Sequence, residues 1–159
     1  MHATPPAALP TGGVYLLCLL LGQACHLHVG ALGPHRFPPG AYLYSGSAKR
    51  ALPARVLRHM RPHKLLRWHM DALTTAPGAH PLGAFVWGHA HPTDTPTECA
   101  LNGAVGTLPQ AASPVPGFGA SDCRAGCPAH LWHIPAAAFH GPEVLARRLP
   151  PGSLWLAAP

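Results

Sequence analysis

The order of apolar, amphipathic and turn-forming stretches predicts a small α+β domain, a mostly antiparallel sheet flanked by helices. Three observations carry this. Residues 14–21 (VYLLCLLL) alternate nowhere between apolar and charged, as expected of a strand buried on both faces in the middle of a sheet. Residues 41–61 begin as strand around Tyr42-Leu43-Tyr44, break at Ser45-Gly46-Ser47 and continue as a helix with two opposed faces. The whole chain then reads as strands, two helices, strand, helix, strand.

Each element follows from its residues. Residues 1–11 are rich in Pro and Ala and are expected to be disordered. Gly12-Gly13 opens the first strand, and Gly22-Gln23 reads as a hairpin turn into a second, 25–29. There Cys25, Leu27 and Val29 alternate with His26 and His28, which turns the two histidines to solvent. Residues 30–40 read as a Gly/Pro loop. In the helix that follows, about 100° per residue places Leu52, Val56, Leu57 and Met60 on one arc and Arg55, Arg58 and His59 on the other. Pro62-His63 breaks it. A second helical piece around 65–73 turns Leu65 and Trp68 inward and sets Arg67 and Asp71 at i,i+4 spacing for a surface pair. A turn at Ala76-Pro77-Gly78 precedes a third strand, 83–87, and a loop over 89–94. Thr95, Pro96 and Glu98 have the makings of a capping box, opening a helix that runs to about 108. Residues 109–121 read as loop, 131–134 as a fourth strand and 142–149 as a short helix, with Glu143 at its positive end and Arg147 and Arg148 at its negative end. Residues 12–159 thus make one domain, with a C-terminal extension from about 135.

Charge and cysteine content narrow the chemistry. A net charge of +6 on so small a chain favours polyanionic partners, nucleic acid foremost. Any hard-cation site or carboxylate base must come from Asp71, Asp94, Glu98, Asp122 and Glu143, the only acidic residues present. Five cysteines cannot all pair within the chain, which fits a reducing cytoplasm. The apolar run at 14–21 is too short to span a bilayer and has no Lys or Arg before it, so it reads as a strand and not as a leader or anchor.

No phosphate-binding glycine fingerprint, nucleophile elbow or H-E-x-x-H is present. Cys123, Cys127, His130 and His133 have the ligand types of a zinc site, packed more tightly in sequence than the usual two separated pairs. Small buried cysteines and histidines flanking Trp132 on one strand are the other reading. Glu98 is equally open between helix cap and cation ligand. Lys49, Arg50, Arg58, Arg61, Lys64 and Arg67 offer phosphate contacts without a base-reading element, or simply keep an apolar protein soluble.

Set side by side, Gly13-Val14-Tyr15, Tyr44-Ser45-Gly46, Arg55, His59 and Glu98 resemble the ordered motifs of the GIY-YIG nuclease superfamily. Gly46-Ser47-Ala48, the R-x-x-R-H from Arg55 to His59, the W-H-x-D from Trp68 to Asp71, Glu98-Cys99, and Phe118 to Cys123 followed by His130-Leu131 are similar to one branch of small members. Relatives in that branch occur alone or joined to an endonuclease III-like repair enzyme. The resemblance covers residue 13 to about 134. It departs at three points: Tyr15 and Tyr44 lie far apart, implying an inserted hairpin and loop; Ser45 replaces an apolar residue; and the Cys123 to Cys127 spacing is wide. Tyr42 and Tyr44 share a strand face, so both are candidates for the second tyrosine.

What the resemblance implies is a GIY-YIG-like fold and metal-dependent hydrolysis of DNA phosphodiesters, in repair or processing. Glu98 would hold Mg²⁺ or Mn²⁺, Arg55 would stabilise developing negative charge, and Tyr15 would orient or deprotonate the attacking water. Tyr44 would hydrogen-bond the phosphate or assist that proton transfer, and His59 would relay a proton. A phenol of pKa about 10 is a poor base at neutral pH, so Tyr15 would need help from Arg55 or the metal. The expected partner is DNA recognised by structure rather than sequence, cut by a monomer away from any membrane. A non-catalytic nucleic-acid-binding module and a zinc-stabilised interaction domain are the competing readings.

Overall fold

β1 (Gly13–Leu21) lies at the centre of a five-stranded sheet, paired antiparallel on one side with β4 (Gly40–Ala48) and on the other with β5 (Ala79–Gly88). β6 (Leu131–Pro135) and β7 (Leu154–Ala157) are the edges, giving the order β6-β4-β1-β5-β7, antiparallel throughout. This computed structural model describes residues 1–89 and 95–159 and has the α+β architecture predicted from the sequence, a sheet flanked by helices.

Because β1 is buried on both faces, its alternating side chains feed two cores. Tyr15, Leu17 and Leu19 pack with Tyr42, Val86 and the apolar residues of α1 (Leu52–Met60) and α2 (His69–Thr74). Val14, Leu16 and Cys18 pack with Leu43, Phe85 and Trp87, beneath Leu101 and Val105 of α3 (Glu98–Gly106) and Leu145 of α4 (Pro142–Ala146). The α1 and α3 layers therefore lie on opposite faces of the sheet.

Several local expectations are corrected. Ser45-Gly46-Ser47 does not break the strand, because all three residues pair with β1, Gly46 opposite Tyr15. β2 (Cys25–His28) does not pair with β1; it forms a separate two-stranded sheet with β3 (Pro34–Phe37), in the stretch read as loop. His26 and His28 are exposed, as the alternation requires, while Val29 and Phe37 plug the unit into the main core. α2 starts only at His69, leaving Leu65 outside it and 77% exposed and Trp68 at its N-cap, 38% exposed. Residues 4–11 are tied to the body rather than disordered: Thr4 N–H donates to Trp155 O, Leu9 is buried, and Leu52 N–H donates to Thr11 O. These ties are all tertiary, so the Pro/Ala composition could not show them. β7 also follows the last helix unannounced, its Trp155 and Leu156 packed into the two cores. Asp94 and most of the loop expected over 89–94 lie outside the described residues. Among the described residues, no helix is long and apolar enough to cross a membrane.

Candidate functional site

Tyr15 and Tyr44 project from neighbouring strands onto the α1 face, ring centroids 6.4 Å apart. Tyr15 lies flat across Gly46, where a Cβ would stand 2.4 Å from its Cζ and Oη; glycine is what lets the phenol lie there. The phenol oxygen is 3.0 Å from Nε2 of His59. His59 therefore does not share the solvated basic face with Arg55. It is turned inward and buried, among the rings of Tyr15, Tyr44 and Trp68. Burial pushes its pKa down to about 4, with Lys64, Arg58 and Arg55 adding to the effect and Asp71 opposing it, so the imidazole is neutral at pH 7. Burial and the neighbouring Tyr44 hold the Tyr15 hydroxyl well above the ordinary phenol range. Tyr42 and Tyr44 differ in position. Tyr42 donates its hydroxyl to Pro38 O and packs on Phe37 and His133, whereas Tyr44 opens into the cleft.

Behind His59 sits a buried ionic hub. Asp71 is fully buried and accepts a forked contact from Arg58, 3.0 and 3.1 Å from Nη1 and 3.1 Å from Nη2. It also accepts the backbone N–H groups of Arg67 (2.8 Å) and Trp68 (3.1 Å), closing the start of α2. The expected surface pair with the Arg67 side chain is thus replaced by the Arg67 backbone and by Arg58. Burial raises the Asp71 pKa, but the Arg58 guanidinium and the two N–H donors outweigh it and leave the carboxyl below its usual value. Lys64 turns in as well, donating to Thr74 Oγ1 (2.7 Å) and lying 3.7 Å from Asp71. Arg58 and Lys64, read as phosphate contacts, are therefore committed to the interior. Lys49, Arg50, Arg61 and Arg67 remain exposed, and of these Arg67 borders the cleft, joined there by Arg124.

The opposite wall comes from α3. Its cap is Thr97, whose hydroxyl accepts from Ala100 N–H at 3.1 Å; Thr95 instead donates to Gly88 O. Glu98 is thus the first helical residue and its carboxylate is not spent on a capping box. Oε2 accepts from Ser47 Oγ, and Oε1 lies 2.7 Å from His130 Nδ1. Burial raises the Glu98 pKa, but these two hydrogen bonds, with the charges of His130 and Arg55, hold it below the ordinary carboxylate range. Arg55 reaches across from α1, its Nη1 3.2 Å from Ser47 O. One turn along α3, Asn102 is buried; it donates to Ala129 O at 2.8 Å and accepts from Trp132 Nε1 at 2.8 Å, locking the helix to the segment that carries His130.

The thiols meet there too. Ligand atoms of Cys99, Cys123, Cys127 and His130 all lie within 4.8 Å of one another, a group able to hold a metal ion. Cys99 takes the place expected of His133, whose Nε2 is 3.1 Å from the carbonyl oxygen of Pro39, just before β4. The clue was Cys99 itself, on the first turn of a helix and distant in sequence from the Cys123 loop, which supplies the separated second segment that zinc sites commonly use. His130 is pushed up to about 9, chiefly by its bond to Glu98, with burial opposing and the thiols adding. The Cys123 thiol is drawn down to about 6 by backbone N–H donors of its loop, while Cys99 is raised to about 12 by burial and the adjacent sulfurs.

Tyr15, Tyr44, Arg55 and Glu98 thus line one cleft of about 570 Å³, which Cys99, Cys123 and His130 also border. A three-layer α+β domain with a tyrosine–arginine–glutamate cleft abutting a cysteine–histidine cluster is the class so defined. The chain belongs to the family described as Domain of unknown function DUF123, whose model matches residues 14–146. No curated protein and no solved structure matches it.

Proposed function

We propose that this protein is a metal-dependent endonuclease of the GIY-YIG type, hydrolysing phosphodiester bonds in DNA. One observation carries the reading: Tyr15, Tyr44, Arg55 and Glu98, brought from β1, β4, α1 and α3, converge on a single cleft with His59 directly behind Tyr15. The roles follow from the environments. Tyr15, whose phenol is held protonated by burial, passes its proton to the neutral Nε2 of His59 as it takes one from the attacking water. Arg55, permanently charged, faces the developing negative charge. Tyr44 donates to a phosphate oxygen.

Glu98 is the oxygen ligand for Mg²⁺ or Mn²⁺. Each of its carboxylate oxygens keeps a lone pair beyond the hydrogen bonds to Ser47 and His130, and a cation of this kind needs few protein ligands besides water and phosphate. When bound, that ion supplies Lewis-acid stabilisation at the scissile phosphate. The thiols next to Glu98 suit a softer ion, and zinc is the one their number and the imidazole favour. Arg67 and Arg124 at the rim are placed to contact backbone phosphates, contacts that read the structure of DNA rather than its sequence. The odd number of cysteines favours a reducing, cytoplasmic setting, and DNA repair or processing is the role proposed there.

The test is cleavage of labelled single-stranded, duplex, flap and junction DNAs with Mg²⁺ or Mn²⁺, by wild type and Glu98→Gln. Metal-dependent cutting absent from the variant is the expected result. Salt-sensitive binding by both proteins with no cutting would replace the reading by a non-catalytic binding module.

A further inference from the structure

The four soft donors beside the cleft are arranged around a missing centre. The sulfurs of Cys99 and Cys123 are 3.6 Å apart. Thiolates about 2.3 Å from a tetrahedral zinc lie roughly 3.8 Å from each other, so this separation is already that of two ligands of one ion. The donors come from two segments: Cys99 from the first turn of α3, and Cys123, Cys127 and His130 from the loop leading into β6, with Gly126 at φ +76° making its tight turn. His130 supplies the second observation. It is buried, its Nδ1 is bonded to Glu98, and its Nε2 has no hydrogen-bond partner while lying among the thiols. A buried ring nitrogen without a partner calls for a ligand. A histidine that gives its Nδ1–H to a carboxylate presents the Nε2 lone pair, which is how outer-shell carboxylates prepare metal-binding imidazoles.

We infer that Cys99, Cys123, Cys127 and Nε2 of His130 bind one Zn²⁺ and that Glu98 is its outer-sphere carboxylate, so that the ion fixes the carboxylate on which cleavage depends. Binding releases to solvent the protons that the thiols and Nε2 of His130 still carry, and leaves a site of one net negative charge, with no redox change. Zinc staples the start of α3 to the His130 loop. The imidazole then holds Oε1 of Glu98 in place, on the cleft that Tyr15 and Arg55 also line. The zinc site itself does not depend on the nuclease reading; only the link to catalysis rests on it.

The experiment uses the full chain, stripped of metal under reducing conditions and titrated with Zn²⁺ and, separately, Co²⁺. One zinc per chain and the thiolate-to-cobalt charge-transfer and tetrahedral d–d bands of an S₃N site are expected. Glu98→Ala should bind zinc roughly 10- to 100-fold more weakly in competition with a chelating dye. His130→Cys keeps a four-thiolate site and its zinc but loses the contact to Glu98, and should need several-fold more Mg²⁺ for half-maximal cleavage. Failure of the wild type to take up zinc overturns the site, and equal zinc affinity in wild type and Glu98→Ala overturns the outer-sphere role. Stoichiometric zinc and weakened Glu98→Ala binding in a protein that cuts no DNA would uphold the site and retire the nuclease reading.

Discussion

The hydroxyl of Tyr15 lies 3.0 Å from Nε2 of His59, and both side chains are buried. With His59 pushed down to about 4 by burial, the proposed proton acceptor is already free at pH 5. The acid limb of a kcat/KM profile should therefore fall near pH 4 and not near 6.5. His59→Ala should lower kcat by roughly 10²- to 10⁴-fold. Stability follows the same group. Its folded pKa is depressed below an unfolded value of about 6.5, so the unfolded chain binds the extra proton, and stability present at pH 7 is lost as the pH falls from 6.5 toward 4. The loss is on the order of 3 kcal/mol when complete. Urea midpoints at pH 7 and 4.5 should differ more for wild type than for His59→Gln.

Glu98 and Thr97 are neighbours with separable duties. Glu98→Gln should abolish cleavage at a cost of about 1 kcal/mol or less, since the cap is Thr97 and glutamine can still accept from His130. Thr97→Ala should cost about 1 kcal/mol through the lost cap and leave the cleavage chemistry in place. Unfolding of Glu98→Gln in circular dichroism would mean that the carboxylate is chiefly structural.

Arg55→Ala should reduce kcat by roughly 10²- to 10³-fold with DNA affinity little changed. Arg124→Ala and Arg67→Ala should do the reverse, each flattening the log–log salt dependence of binding by about one unit. Equal losses of rate and affinity in Arg55→Ala would reduce that residue to a phosphate-binding cation.

Asp71 should be the most costly acidic residue to alter. Asp71→Asn leaves Arg58 and Lys64 with an uncharged partner in the interior, and a loss of about 3–5 kcal/mol is expected in denaturant titration. Truncating the exposed Arg67 side chain should cost less than about 0.5 kcal/mol, because only its backbone serves the hub.

Gly46→Ala should fold and yet fail in function. A methyl at that position meets the Tyr15 phenol at 2.4 Å and must push it from His59. The expected outcome is unchanged far-UV circular dichroism with a rate at least about 10-fold lower, consistent with the sensitivity of catalysis to ångström displacements.

The sheet's centre and the amphipathic α1 were legible because their signals are local and periodic: an unbroken apolar run, and Leu52, Val56 and Met60 at helical spacing. His59, seven residues after Leu52 and three after Val56, lies about 20° from Leu52 around the helix, so periodicity alone puts it on the border of the apolar arc. Its partner, Tyr15, is on another strand, and no periodicity encodes such a pair. The start of α3 was misplaced by two residues because Thr95 and Thr97 are equally good caps in isolation, and only the contact of Thr95 with Gly88 separates them. Cys99 stands outside the zinc donors that spacing suggests for the same reason that spacing pairs Asp71 with Arg67. Arg58 and the Cys123 loop are distant in sequence, and the nearer candidates, Arg67 and His133, satisfied spacing rules that the fold does not use.

The central position of β1 gives the cleft two walls of unequal stiffness. The Tyr15 wall belongs to a strand whose pairing is complete on both sides, so its amides should be among the last to exchange with deuterium. The facing wall is made by the first turn of α3 and by a loop tied to β4 and α2 at single points, Ser45 N–H to His130 O and Gly119 N–H to His69 Nδ1, besides the Asn102 bridge. A ligand entering between them meets continuous sheet on one side and a wall of short, separately anchored segments on the other.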